Sequence, residues 1–165
     1  MLSKMYSIQA INNHMSLRLP QYQSLEILHE LMNSLDFQQS DEEIEKQIHA
    51  KYPIFREFER NFPSLTFALA TGVGKTMLMG AFITYLFTNQ GIKNFFIVAP
   101  NLTVYNKLIK DFSDFNHKKY VFKRLNIFAQ KPPMVITGDD YKRLGGLIPA
   151  NEGSITINIF NIGKN

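Results

Sequence analysis

The chain has 165 residues, 45% of them hydrophobic and 13% aromatic, with no cysteine or tryptophan and a formal net charge of +4. A chain of this length can bury about 70% of its unfolded surface, which suits one domain with its own core and argues against global disorder. The lack of cysteine excludes disulfides and thiolate metal sites and fits a reducing compartment.

Charge is unevenly placed along the sequence. Through Pro63 there are six Lys/Arg against nine Asp/Glu, and from Ser64 onward twelve against five. A basic second half suits a polyanion partner, or serves solubility alone. Nothing in Met1 to Ser16 resembles a signal peptide, and the longest apolar run is too short to span a bilayer, so a soluble, cytoplasmic protein is expected.

In chain order, the segment to Leu19 is weakly patterned and reads as a short strand or a mobile arm. From Gln21, the residues Leu25, Leu28, Leu31, Met32 and Leu35 recur at helical spacing and predict one apolar helix face. Ser40 and Glu43 form a capping-box pair ahead of Ile44 and Ile48, predicting a second helix. Pro53 opens a short helical or irregular stretch with Phe55 and Phe58, which Pro63 closes.

The pattern then becomes α/β. Leu65 to Leu69 reads as a buried strand and Met77 to Phe87 as a buried helix. Phe95 to Ala99 predicts a second strand, and Leu102 to Phe115 a helix with Leu102, Tyr105, Leu108, Ile109 and Phe112 inward. Met134 to Thr137 predicts a third strand, with Gly138, Asp139 and Asp140 as turn formers after it. Ile155 to Phe160 predicts a fourth, after a loop marked by Gly145, Gly146 and Pro149. Strands separated by helices imply a parallel sheet with ligands at the strand C-termini.

Between the first of these strands and its helix lies Ala70-Thr71-Gly72-Val73-Gly74-Lys75-Thr76. Gly72 and Gly74 can take positive φ and carry no Cβ, so successive backbone N–H groups can point into one concavity. A helix starting near Lys75 adds its unpaired N–H groups and positive dipole end. Lys75 would reach the β- and γ-phosphates of a nucleotide, and the Thr76 hydroxyl would hold Mg²⁺. The full phosphate-loop pattern asks for a glycine where this chain has Leu69, but the shortened form keeps every group that touches phosphate. A tight strand–helix turn with a solvated lysine is the bland alternative.

These residues carry a family resemblance. Phe67 to Thr76, then Phe95 to Ala99 and Pro100-Asn101-Leu102-Thr103, resemble motifs I and Ia of superfamily two helicases. With Leu17-Arg18-Leu19-Pro20-Gln21-Tyr22-Gln23 upstream, the wording is similar to the DEAD/DEAH-like motor of the Res subunit of type III restriction-modification enzymes. The resemblance runs from about Leu17 to the end. It implies a RecA-like α/β lobe over residues 64–165, incomplete at its C-terminus and preceded by an N-terminal helical segment over 1–63. It further implies ATP and Mg²⁺ as cofactors, bound by Thr71, Gly72, Val73, Gly74, Lys75 and Thr76, and DNA as substrate.

In the same family Gln23 matches a glutamine that reads adenine; its other reading is an exposed polar residue near a helix start. Pro100, Asn101 and Thr103 match a motif that touches the nucleic-acid backbone, and Asn101 or Thr103 could equally cap the helix. Lys118 to Lys131 interleaves cations with Tyr120, Phe122 and Phe128. It could track a nucleic acid, or form a solvated face with its rings turned inward.

No Asp-Glu-x-His follows Gly138, and His14, His29, His49 and His117 show no metal-ligand spacing. The family's motors use that aspartate to organise Mg²⁺ and that glutamate to activate water, and a second lobe to supply arginine fingers. The expectation is therefore a broken or excised part of a motor that binds ATP and DNA without useful turnover, its sheet left with an open edge prone to self-association. A methyltransferase subunit is the partner the resemblance implies. Two rivals stay open: a general DNA or RNA helicase, and a non-catalytic nucleotide- or DNA-binding module or remnant.

Overall fold

The computed structural model describes residues 6–144 and 154–163. Its sheet has three parallel strands, β1 (Asn94–Ala99), β2 (Met134–Thr137) and β3 (Thr156–Asn161), in the order β1-β3-β2. β3 is therefore central although it comes last in the chain. Ile155, Thr156, Ile157, Asn158 and Ile159 are all buried, as expected of a parallel strand covered on both faces. The architecture is mixed α/β, a small parallel sheet flanked by helices.

Two helices cover the sheet directly. α5 (Leu102–Ser113) packs against all three strands, and α6 (Gly138–Leu144) against β2 and β3. α5 forms because Asn101 caps it and Tyr105, Leu108 and Phe112 recur on one face, where each is buried. Burying side chains of this size contributes about 1.5–3 kcal/mol each. Leu102, expected inward, is exposed because it sits in the first helical turn, beyond the end of β1. Asp139 and Asp140, expected as turn formers, lie in the first turn of α6, where Asp140 accepts from the Thr137 hydroxyl at 2.7 Å and the Thr137 backbone N–H at 3.1 Å. Those two bonds hold its carboxyl below the usual carboxylate range.

α4 (Lys75–Gln90) is apolar nearly all round, and Leu78, Ala81, Ile83, Tyr85 and Phe87 are buried. A helix of that composition needs cover on several sides. Two flanking helices supply part of it: α1 (Ile8–Met15) and α2 (Leu19–Ser34) both pack on α4. The segment around Val121 supplies more, approaching Gly80 so closely that a Cβ there would lie 1.9 Å from Val121 Cγ1. α1 replaces the strand or arm expected before Leu19. Ser7 caps it, accepting from the Ala10 N–H at 3.1 Å, and Ile11 and Met15 are buried. α3 (Asp41–Lys51) starts at the expected Ser40 cap and makes a smaller apolar cluster of Leu31, Ile44 and Ile48.

The buried strand expected over Leu65 to Leu69 is not formed. That segment carries no strand pairing, and Leu65 and Ala68 are exposed. An extended chain becomes a strand only when a neighbour takes its N–H and C=O groups. β1 and β2 pair only with β3, so no strand among the described residues lies beside this segment. Phe67 instead packs edge-on against Phe82 of α4, with ring centroids 5.0 Å apart.

β1 shows the complementary incompleteness. Ile97 and Ala99 are buried, whereas Phe96 and Val98 are 58% and 55% exposed. Register places Phe96 beside Asn158 and Val98 beside Phe160, so one face of the sheet is open along β1. The sequence-predicted loop at Gly145, Gly146 and Pro149 lies outside the described residues.

Candidate nucleotide and nucleic-acid site

The loop before α4 has the backbone that its glycines allow. Gly72 and Gly74 have φ of +82° and +96°, and Gly74 is the N-cap of α4. α4 therefore begins at Lys75, with its first N–H groups at the loop, the arrangement that favours an anion. Thr71 and Lys75 are exposed, and Lys75 Nζ bends back to the Ala70 carbonyl at 3.4 Å.

Two residues of the α2 start fasten this loop from outside. Arg18 Nη1 donates to the Gly72 carbonyl at 2.9 Å, and Gln21 Nε2 donates to the Gly74 carbonyl at 2.8 Å. Gln21 Oε1 in turn accepts from the Arg18 backbone N–H at 2.7 Å, so one buried amide joins the helix start to the loop. Sequence reasoning passed over both residues. Gln23, the expected adenine reader, lies on the exposed side of α2. The helical phase was the available signal: Gln21 is about 40° from Leu25 around the helix, and Gln23 about 160°.

A cation already stands at the group expected to meet metal. Lys107 Nζ of α5 donates to Thr76 Oγ1 at 3.1 Å and to Asp111 Oδ2 at 2.5 Å. The Thr76 hydroxyl is thus reachable by a positive centre from outside the loop, and it is the one protein oxygen here that a Mg²⁺ ligated otherwise by phosphates and waters would take. Among the described residues there is no group of three His, Cys, Asp or Glu that could hold a metal by itself.

Pro100, Asn101 and Thr103 lie together at the C-terminal end of β1 and the start of α5, and all three are exposed. Asn101 Oδ1 accepts from the Val104 N–H at 2.9 Å, so its capping role is filled. Further along α5, Thr103, Asn106, Lys107, Lys110, Asp111, His117 and Lys119 line a cleft of about 490 Å³. An apolar cleft of about 470 Å³ lies elsewhere, among Ile27, Leu31, Ile48, Tyr52, Phe55 and Leu65, and includes none of the loop residues 71–76.

The rings of the basic and aromatic stretch turn inward. Tyr120, Phe122 and Phe128 are core residues, with the Phe122 and Phe128 rings 4.5 Å apart. Burial also pushes the Tyr120 hydroxyl pKa up. Those rings are not free to stack on bases. No helix among the described residues is long and apolar enough to cross a membrane.

The family model "Type III restriction enzyme, res subunit" matches residues 14–164. A probable type III restriction-modification enzyme HindVIP Res subunit from Haemophilus influenzae is 33% identical over 73 residues, which are 44% of this chain and 14% of that relative. The chain thus matches only a small part of that relative's length. No solved structure matches. A loop built on two left-handed glycines at the head of α4, within a match spanning nearly the whole sequence, leads to one conclusion: the chain belongs to the family of type III restriction enzyme Res subunits.

Proposed function

We propose that this chain is the N-terminal part of the ATP-binding motor lobe of a Res-like subunit, seating Mg·ATP on the loop from Thr71 to Thr76. The single observation that carries this reading is the loop itself, with Gly72 and Gly74 at positive φ and Lys75 opening α4. The backbone N–H groups of Gly72, Val73 and Gly74 would cradle phosphate oxygens, Lys75 would swing from the Ala70 carbonyl to a phosphate, and Thr76 would offer its hydroxyl to Mg²⁺. Bound nucleotide would supply a phosphoanhydride whose cleavage drives movement in a complete motor. Gln23, on the solvent side of α2, is open to an adenine base.

DNA would run past Pro100, Asn101 and Thr103, where exposed backbone and short polar side chains suit a phosphate. Residues 1–165 contain no Asp-Glu-x-His, so this segment binds nucleotide without appreciable turnover. The uncovered apolar face at Phe96 and Val98 supports self-association at high concentration. A modification methyltransferase as partner, and a cytoplasmic setting, follow from the family alone.

The test is equilibrium binding of a fluorescent ATP analogue with Mg²⁺. Lys75→Ala removes a charged hydrogen bond worth about 1.5–3 kcal/mol, or about 10- to 100-fold in affinity. Unchanged affinity in that variant, or hydrolysis at an ordinary motor rate by the unaltered chain, defeats the reading.

A further inference from the structure

We propose that Lys107 is a metal-responsive switch that leaves the phosphate loop for a phosphodiester-binding cleft on α5 when Mg²⁺ and nucleotide bind. The proposal rests on the reading of the loop as a Mg·nucleotide site. Lys107 has two contacts of different kinds. Asp111 Oδ2, at 2.5 Å, belongs to a side chain only 2% exposed, whereas the Lys107 side chain is 50% exposed. The carboxylate is a fixed anchor. The 3.1 Å contact to Thr76 Oγ1 is the exchangeable one.

Mg²⁺ would need that same hydroxyl oxygen at about 2.0–2.1 Å. An ammonium and a divalent ion cannot both sit against one hydroxyl, because like charges at such separation repel strongly. Metal therefore displaces Lys107, whose four-carbon stem pivots about Asp111. The space beside that anchor is the α5 cleft. Thr103, Asn106, Lys107 and Lys110 follow one another at helical spacing along it, and Lys119 closes it from the following segment.

Besides Lys107, two lysines there, Lys110 and Lys119, face the single Asp111 carboxylate. Its second oxygen is already turned to His117 Nδ1 at 3.3 Å, so an incoming anion meets mostly positive charge and neutral donors. From Thr103 to Lys110 the donors extend over about 10 Å of helix, more than one phosphate fills and suited to successive phosphodiesters of a nucleic-acid strand. Released Lys107 adds its charge to that row. Nucleotide loading would in this way raise affinity for nucleic acid, and nucleic acid would raise affinity for the metal-bound nucleotide by the same factor.

The experiment compares the unaltered chain with Lys107→Met, titrating a fluorescent ATP analogue with Mg²⁺ and with chelator. Losing one positive charge weakens both arms alike, so the readout is the ratio between them. Mg²⁺ is expected to improve nucleotide affinity about 5-fold more in Lys107→Met than in the unaltered chain. Equal ratios overturn the switch. A short oligothymidylate is then titrated by anisotropy. The unaltered chain should bind it about 5-fold more tightly with Mg²⁺ and analogue present, and Lys107→Met should gain nothing.

Competition by inorganic phosphate at the same phosphate concentration, as effective as the oligonucleotide, would assign the cleft to a free anion and overturn the strand. A measurement on the unaltered chain guards against a misfolded variant: acylation of Lys107, read by mass spectrometry, should rise with Mg²⁺ and analogue and fall again with oligonucleotide. No rise overturns the proposal. Absence of nucleotide binding in every arm overturns the loop reading, whereas binding with an unaltered Mg²⁺ ratio overturns the switch alone.

Discussion

The two helices that touch the phosphate loop do so with different chemistry. α2 reaches the backbone: Arg18 and Gln21 donate to the Gly72 and Gly74 carbonyls, and the Gln21 amide is buried. α5 reaches a side chain: Lys107 donates to the Thr76 hydroxyl from a half-exposed position. Backbone carbonyls that point away from a phosphate cradle are not ligands, so bonds to them fix the loop's shape without competing for its contents. A bond to the hydroxyl competes directly. One helix shapes the loop and the other occupies it.

The sharpest way to break this contrast is Gly74→Ala. A side chain at φ +96° carries about 1–2 kcal/mol of left-handed strain, and its Cβ would stand 2.6 Å from Gln21 Nε2 and displace that amide. We expect about 2–3 kcal/mol lost in denaturant unfolding, together with loss of nucleotide binding. Gln21→Ala should come next, at about 1–2 kcal/mol, because it strips partners from the Gly74 carbonyl and the Arg18 N–H. Gln23→Ala, on the exposed side, should leave unfolding within about 0.5 kcal/mol of the parent. If these two glutamines behaved alike, the shaping role of α2 would be lost.

Lys107→Met belongs beside Gln21→Ala on the same scale. It leaves the buried Asp111 carboxylate with only the His117 contact, so unfolding should lose about 1–2 kcal/mol while the Mg²⁺ response changes. A large stability loss would make α5 a second clamp.

The smallest effect concerns the outer side of α2. Tyr52 donates to Glu30, which also meets Lys51 at 2.6 Å. Desolvation first, then the Glu30 hydrogen bond and charge, push the Tyr52 hydroxyl pKa from 10.0 to about 12. A raised folded-state value stabilises fully below the unfolded value, and that contribution fades as pH climbs from about 10 through about 12. Melting followed over that window should show the slope, and Tyr52→Phe should remove it.

What the sequence made legible follows the strength of its local signals. α2, α3, α4 and α5 all carried caps or long apolar periodicity, and β1, β2 and β3 stood as short apolar runs between turn residues. α1 was missed because Ile8, Ile11 and Met15 are diluted by polar neighbours, although the Ser7 cap and the i, i+3, i+7 spacing were there to be read. The strand over Leu65 to Leu69 failed for a different reason. Its residues suit a strand, but pairing is a property of two segments, and the neighbour is not among the described residues. At the loop, the positive φ of Gly72 and Gly74 was written in their side chains' absence. Lys107 was invisible, because its approach to Thr76 depends on how α5 is laid beside α4.

The place of β3 has a consequence for how the molecule assembles. Among the described strands, β1 and β2 pair only with β3, which sets Asn94 and Met134 alike beside Thr156. A chain leaving the ribosome has therefore made α1 to α6 before this sheet can form, and must hold Ile97 and Ile136 without a paired strand until β3 emerges. Pairing across such sequence distance is slow. The helical layer has to collapse first and wait, and a ribosome stalled before Thr156 would release two unpaired strands and a helix, α5, with no sheet to lie on.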